Sequence, residues 1–482
     1  MKKITSFLVF CLALSTAYSQ QIVSSTYLGS VTKDSIGSII GMPIFQFGAD
    51  YYKLTYQSVD AKGNPDTLSA LLTIPTSITE NTYPVLFYEH GTAACKECVP
   101  SRYGQTGGDE GRAGLVFAGM GYISLLPDYV GMGDGRGFQT YVYDSTSYAA
   151  SIDLLQAFRA WAPTQNILFN NQLFITGYSQ GGYVAMAFHK YMQEHFGASS
   201  VTAAAHNSGP YSLSGVMRDL ILVDSAYSYP AYIPNTMLGM NEVYEMFPNL
   251  SDFYKPEFVN DVQAYYDGNI ELTELNERIK DTLVAYYGDT IAHYMIRDEI
   301  LDSVQANPNY IINKILHDND VHKWKPESPT RIFYCKADDQ VPYRNSIVAI
   351  DTMYARGTDP NLVQAKDLDS TLTHTGCIEP AFLNTLIFFG NFQQVTLGTE
   401  EVPSVNLNVY PNPARDHVYI VTDLEGKTNV KVWSLNGQLK LDFNTENPAQ
   451  GFAVNDFENG MYLLQITAAN GAIFHMKFVV EK

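Results

Sequence analysis

The sequence Gly177-Tyr178-Ser179-Gln180-Gly181 lies between an apolar run, Leu173–Thr176, and a stretch of helical spacing from Gly181 to Phe196. The Gly-x-Ser-x-Gly pattern alone is common. Its setting between a strand and a helix is what marks it as a nucleophile elbow, a tight turn that lifts the serine hydroxyl clear of the backbone. Side chains at 177 and 181 would collide with neighbouring backbone in such a turn, and both positions are glycine. The helix start behind Ser179 favours developing negative charge. A serine hydroxyl is a weak nucleophile at neutral pH, so it needs a base, and the base needs an orienting acid.

Enzymes with this elbow carry their partners in the chain order Ser, acid, His. The strand expected at Arg331–Cys335 ends in Lys336-Ala337-Asp338-Asp339. Asp338, in the spacing Asp-x-x-Val-Pro, is the preferred orienting acid and Asp339 the second choice. Three histidines follow: His374, His417 and His475. The last two fall in a C-terminal β region, which leaves His374 as the base. His189, His195, His317 and His322 show no metal-ligand spacing and are read as structural or surface residues. The oxyanion of the tetrahedral intermediate needs two backbone N–H donors. Gln180 supplies one; the other is expected from the loop after a Pro84–Glu89 strand, with Thr92 the first candidate and His90 the second. This chemistry needs no metal or organic cofactor.

Such residues must be held by a sheet. Strands are expected at two places in Tyr51–Pro75 around a polar turn at 60–65, then at 84–89, 121–127, 173–176, 201–205 and 331–335. Helices are expected at 147–161, 181–196, 345–356 and 378–389. Nearly continuous apolar strands alternating with helices argue a mostly parallel sheet covered on both faces. From about 213 to 325 the alternation stops, and a mostly helical insertion, punctuated by Pro230, Pro234, Pro248, Pro256 and Pro308, reads as a cap. Tyr229, Tyr232, Met237 and Phe247 are candidates to line a pocket beneath it. After a linker at 397–404, short alternating strands at 405–409, 417–422, 429–434, 438–442, 461–466 and 473–480, with hairpin signals at Asn436-Gly437 and Asn470-Gly471, read as a small all-β sandwich at 405–482.

Of the 482 residues 46% are apolar, which excludes wholesale disorder. Fifty acidic against 30 basic residues give a net charge of −20, a poor match to nucleic acid or anionic lipid. Met1-Lys2-Lys3, an apolar run from Ile4 to about Thr16 and Ala17-Tyr18-Ser19 form the pattern of a secretory signal peptide over 1–19. No later stretch approaches a membrane span. Once the signal is removed, Cys95, Cys98, Cys335 and Cys377 remain. An even count in an exported chain favours disulfides. Cys95-Lys96-Glu97-Cys98 is read as a local structural bridge rather than a redox motif. Pairing of Cys335 with Cys377, which flank the proposed acid and base, is left open.

Together, Tyr88-Glu89-His90-Gly91-Thr92, Pro100-Ser101-Arg102-Tyr103, Leu126-Pro127-Asp128-Tyr129-Val130-Gly131-Met132-Gly133, Gly177-Tyr178-Ser179-Gln180-Gly181-Gly182, Gly209-Pro210-Tyr211, Asp338-x-x-Val341-Pro342 and His374-x-x-Cys377 resemble the secretory, lipase A-like branch of the α/β-hydrolases over roughly residues 50–390. The resemblance implies an α/β-hydrolase domain over 20–396 with a helical cap. It also implies a carboxylic-ester hydrolase with Ser179, Asp338 and His374 as triad, acting on a small-molecule or lipid ester. Val409-Tyr410-Pro411-Asn412-Pro413-Ala414-Arg415-Asp416, Trp433-Ser434-Leu435-Asn436-Gly437, Gly460-Met461-Tyr462-Leu463 and Lys477-Phe478-Val479-Val480-Glu481-Lys482 resemble the sorting domains of the type IX secretion system. That resemblance implies passage through the periplasm, the secretion machinery as a partner, and a secreted or surface-held product. A serine peptidase on the same fold, and a binding protein on an inactive hydrolase scaffold, are the competing readings.

Overall fold

The computed structural model describes residues 21–41, 44–77, 81–105, 109–396, 407–422, 424, 426–434, 438–469 and 473–482. The expected signal peptide, the linker at 397–404 and both Asn-Gly turns lie outside these residues. The chain divides into two compact units, Met1–Gly398 and Thr399–Lys482.

In the first unit nine strands form one sheet: β1 (Ile22–Val31), β2 (Gly48–Val59), β3 (Pro65–Thr76), β4 (Tyr83–Glu89), β5 (Ile123–Pro127), β6 (Phe169–Tyr178), β7 (Ala203–Asn207), β8 (Thr330–Tyr334) and β9 (Val363–Asp367). Their order is β1-β2-β3-β5-β4-β6-β7-β8-β9. β1, β2, β3 and β5 pair antiparallel in succession, and every pairing from β5 through β4 to β9 is parallel. The helices over this sheet that precede the cap are α1 (Lys33–Ile40), α2 (Arg112–Gly119), α3 (Asp144–Trp161) and α4 (Gln180–Phe196).

The strand pattern explains the layering. Val85 and Phe87 of β4 pack with Leu154 and Phe158 of α3 on one face, while Leu86 and Tyr88 pack with Leu115 and Phe117 of α2 on the other. Both faces are therefore apolar, and only a sheet covered on two sides buries them. The order reverses at β4: the chain leaves it toward β5 on one side and returns to β6 on the other. The carboxyl ends of β4 and β6 thus flank a crevice of the kind where ligands bind in open α/β sheets.

Between β7 and β8 the chain forms the cap: α5 (Arg218–Leu222), α6 (Tyr232–Tyr244), α7 (Pro256–Tyr266), α8 (Leu272–Tyr287), α9 (Asp298–Ala306) and α10 (Ile311–Asp318). One expectation needs correction. Pro234 does not break the pattern; it sits in the first turn of α6, where a missing N–H costs no helical bond. After β8 come α11 (Arg344–Ala355) and α12 (Ile378–Gly390).

The second unit holds β10 (Leu407–Tyr410), β11 (His417–Thr422), β12 (Thr428–Ser434), β13 (Leu439–Thr445), β14 (Phe452–Ala453), β15 (Gly460–Thr467) and β16 (Ile473–Val480). They form two antiparallel sheets, β10-β11-β14 and β13-β12-β15-β16. Val418 and Ile420 of the first sheet and Val430, Val432, Leu464 and Ile466 of the second share one core. Among the described residues no helix is long and apolar enough to cross a membrane.

Candidate active site

Ser179 follows the last residue of β6 and caps α4 with φ 60° and ψ −122°, a strained conformation for a residue with a side chain. Two contacts hold it there. Its N–H donates to the Asn207 carbonyl at 2.9 Å, and its carbonyl accepts from Tyr183 N at 3.2 Å. The glycines on either side are required by close approach. A Cβ at Gly181 would lie 1.9 Å from the Glu89 carbonyl oxygen, and one at Gly177 would lie 2.3 Å from the Gly181 carbonyl oxygen. The elbow is thus pressed against the end of β4, in register with it through Glu89 and Gly177.

His374 Nε2 lies 2.8 Å from Ser179 Oγ, and its Nδ1 lies 2.7 Å from Asp338 Oδ2. The other Asp338 oxygen accepts from Gln340 N at 3.1 Å and Val341 N at 2.8 Å. The two candidate acids are thereby separated. Asp338 faces the imidazole, while Asp339 accepts from the backbone N–H of His374 at 3.1 Å. Tyr178 Oη donates to the His374 carbonyl at 2.6 Å. All three members of the Ser–His–Asp chain are buried.

A disulfide joins Cys335, just past β8, to Cys377, the cap residue of α12. It ties the loop bearing Asp338 to the loop bearing His374. A second disulfide joins Cys95 to Cys98 on the loop after β4. That loop also receives Leu272 N from the start of α8 at the Ala94 carbonyl, at 2.8 Å, and Gly133 N at the Lys96 carbonyl, at 2.9 Å.

Gln180 opens α4, so its N–H is among the first-turn donors that no helical carbonyl takes. Thr92 lies on the loop beyond β4, its hydroxyl 2.8 Å from Tyr141 Oη. The His90 ring is wholly buried. Its nitrogens lie 2.7 Å from the Gly91 carbonyl and 3.3 Å from the Asp128 carbonyl, and it stacks on Tyr129 at 4.1 Å. Burial holds its pKa below the ordinary imidazole value. This ring braces the loop from within.

Several buried groups around the site were read in the sequence only as members of a motif. Glu89 accepts from Ser151 Oγ at 2.8 Å, and burial raises its pKa to about 8. Asp128 accepts from Ser101 N at 3.0 Å and Ser69 Oγ at 2.6 Å, fixing the loop after β5. Gly182 was read only as part of a motif; a Cβ there would lie 2.3 Å from the Asn207 carbonyl oxygen.

Beneath the cap lies an apolar cavity of about 120 Å³. Tyr141, Val142, Pro210 and Val341 form its wall toward the sheet, and Ile300, Leu301, Val304, Ile312 and Leu316 line it from the cap. Val341 N–H donates to the Asp338 carboxylate and Tyr141 Oη lies 2.8 Å from Thr92 Oγ1, so the wall reaches residues bonded to both loops. Of the expected lining residues, Tyr232 and Met237 face this cavity. Tyr229 instead stacks on Tyr232 at 4.4 Å, and Phe247 packs on Phe253 at 5.3 Å.

This architecture is an α/β-hydrolase fold, similar to that of solved esterases and lipases. The rice cell wall degrading esterase LipA of Xanthomonas oryzae superposes with a TM-score of 0.65 at 23% identity, over 76% of this chain and 95% of that one. A putative hydrolase of Legionella pneumophila gives 0.68 at 20% identity, over 80% and 100%. Candida antarctica lipase A gives 0.53 at 15% identity, over 76% and 82%. Residues 113–212 match the prolyl oligopeptidase family model, and residues 408–481 match the secretion system C-terminal sorting domain. An ulvan lyase of Nonlabens ulvanivorans is 28% identical over 92 residues; this chain spans 17% of that protein's length.

Proposed function

We propose that this chain is an exported serine hydrolase of carboxylic esters. The observation that carries the reading is the continuous Ser179–His374–Asp338 hydrogen-bond chain at the head of a strained elbow. Ser179 Oγ attacks the ester carbonyl carbon as His374 Nε2 takes its proton. Asp338 holds the ring and stabilises the imidazolium. The N–H groups of Gln180 and Thr92 receive the oxyanion. The tetrahedral intermediate collapses, the alcohol leaves with the proton from His374, and water hydrolyses the acyl-enzyme by the same route in reverse.

The prolyl oligopeptidase match favours a peptidase as the second reading. It spans α2 to the loop after β7, the part of the fold that holds the elbow. The cavity argues for esters. A peptide entering it would bury N–H and C=O groups against aliphatic side chains, whereas an acyl chain has none to satisfy. Initial rates on p-nitrophenyl esters from acetyl to palmitoyl, beside a panel of peptide amides, test the choice. Ester turnover lost in Ser179→Ala supports it. Cleavage of amides alone, or ester turnover that survives the substitution, overturns it.

The same proposal includes export. Residues 1–19 act as signal peptide and 405–482 as a sorting domain read by the type IX machinery, with a released or surface-held product. The match at 408–481 supports this. Terminal sequencing of protein recovered outside producing cells tests it, since retention of either segment speaks against it. Because the Xanthomonas esterase degrades the rice cell wall, esters of plant cell-wall polysaccharide belong in the substrate panel.

A further inference from the structure

We infer that Arg218 selects acyl groups that carry a neutral acceptor oxygen along an otherwise apolar chain, its Nε–H donating to that oxygen. The inference rests on Ser179 being the nucleophile and on the acyl group entering the cavity beneath the cap. Arg218 opens α5 and lines that cavity. Among the described residues along the wall it alone carries a charge; its company there includes Leu213, Ile221, Ile300 and Leu316. A guanidinium against an aliphatic wall gives up hydration, and only a hydrogen-bond partner restores what is lost.

The N–H groups of Arg218 fare unequally. Nη2 lies 3.0 Å from Asp219 Oδ1, and that carboxylate, on an exposed side chain, balances the charge. Nε is shut off from solvent and has no acceptor among the described residues. The tyrosines of the same wall differ. Tyr227 donates to the Gln340 carbonyl at 2.9 Å, Tyr232 donates to Gln340 Oε1 at 2.8 Å, and Tyr141 Oη lies 2.8 Å from Thr92 Oγ1. Their hydroxyls are engaged with the acid loop and the oxyanion loop. The unused donor belongs to the cap.

A buried N–H without an acceptor is costly, and a bound oxygen removes that cost. The charge count decides which oxygen. Asp219 already faces the guanidinium, so a second carboxylate would enter an apolar cavity without a cation of its own. A hydroxyl, ether or ketone oxygen supplies the missing acceptor and brings no charge. A plain alkanoyl chain covers the Nε–H and leaves it unpaired. Sites built to bond a substrate oxygen disfavour the analogue that lacks it for this reason.

The test starts from the p-nitrophenyl alkanoate turned over fastest in the acetyl-to-palmitoyl series. Its analogues replace one methylene at a time by an ether oxygen, beyond the third carbon, where the oxygen no longer activates the ester carbonyl. In a wholly aliphatic pocket every such oxygen lowers kcat/KM. Here one position is expected to exceed the parent chain by about 10-fold in kcat/KM, chiefly through KM. Arg218→Lys keeps a cation beside Asp219 and places a methylene where Nε stood. It is expected to erase that preference and to raise kcat/KM on the plain chain about three-fold, because the unpaired N–H is gone. Arg218→Met should erase the preference as well. Every oxygen position falling below the parent chain in the native protein overturns the inference, and that result needs no variant to fold. A preference that persists in Arg218→Lys overturns it too, as does a series that peaks at acetyl, whose acyl group has no chain to reach the cavity. Ser179→Ala separates the two levels. Turnover that depends on Ser179, with no favoured oxygen position, leaves the proposed hydrolase standing and removes this role of Arg218. Turnover that survives Ser179→Ala, or no turnover of any ester, removes both.

Discussion

The two sides of the proposed reacting centre are held by different means. On the acid–base side, Cys335–Cys377 joins loops 42 residues apart in sequence, and the Asp338 carboxylate is further fixed by two backbone N–H groups. On the oxyanion side, Cys95–Cys98 spans only three positions. There the loop is positioned by single hydrogen bonds, from the cap through Leu272 and from its neighbours through Tyr141 and Gly133. Chain-entropy arguments assign about 4 kcal/mol to the long bridge and about 2 kcal/mol to the short one. Both loops also receive hydrogen bonds from the cap, the Asp338 loop from Tyr227, Ser228 and Tyr232 and the Thr92 loop from Leu272, so the difference between them is the long covalent tie on the first.

The sharpest break falls on the acid–base side. Ser179→Ala should lower turnover by about 10⁶-fold and abolish the burst of acyl-enzyme, read by stopped-flow release of p-nitrophenol. Next is the distinction between the paired acids. Asp338→Asn should cost about 10⁴-fold in kcat, because the ring loses its orienting partner. Asp339→Asn, which touches only the His374 backbone, should cost about 10-fold or less. Equal losses would undo the separate roles. In urea denaturation, replacing Cys335 and Cys377 together by Ser should cost about 4 kcal/mol, and replacing Cys95 and Cys98 about 2 kcal/mol or less.

The smallest effect is one of pH. Burial raises the Glu89 carboxyl from 4.5 to about 8. The folded state keeps a proton that the unfolded chain has lost, so this group's contribution is complete below about 4.5 and is lost as pH rises to about 8. Glu89→Gln, neutral at every pH, should flatten the fall in thermal midpoint across that window, by roughly 5 °C at its upper end.

The acid–base side was the more legible of the two from sequence. Its residues announce themselves by type, by the glycines at 177 and 181 and by chain order; the Asp-x-x-Val-Pro spacing favoured Asp338, and the folded loop turns that acid to the imidazole and Asp339 to the His374 backbone N–H. The oxyanion side was less so. Thr92 gains meaning from Tyr141, 49 residues away, and no local pattern links them. The parallel strands were readable because both faces are buried. The outer strands were not: in β9 only Val363 is buried, and β1 is mostly exposed, so neither carries an apolar pattern. α2 escaped notice because its eight residues include Gly114 and Gly119, poor helix formers that let Thr73 and Phe45 pack closely.

The bridge between Cys335 and Cys377 also sets a clock. In a thiol-reducing compartment both sulfurs stay free, and the loops carrying acid and base are tethered by hydrogen bonds alone. Full assembly of the machinery then waits for oxidation. If the chain is exported as proposed, the bridge that ties the loops of Asp338 and His374 closes only after the chain has left the thiol-reducing compartment where it was made.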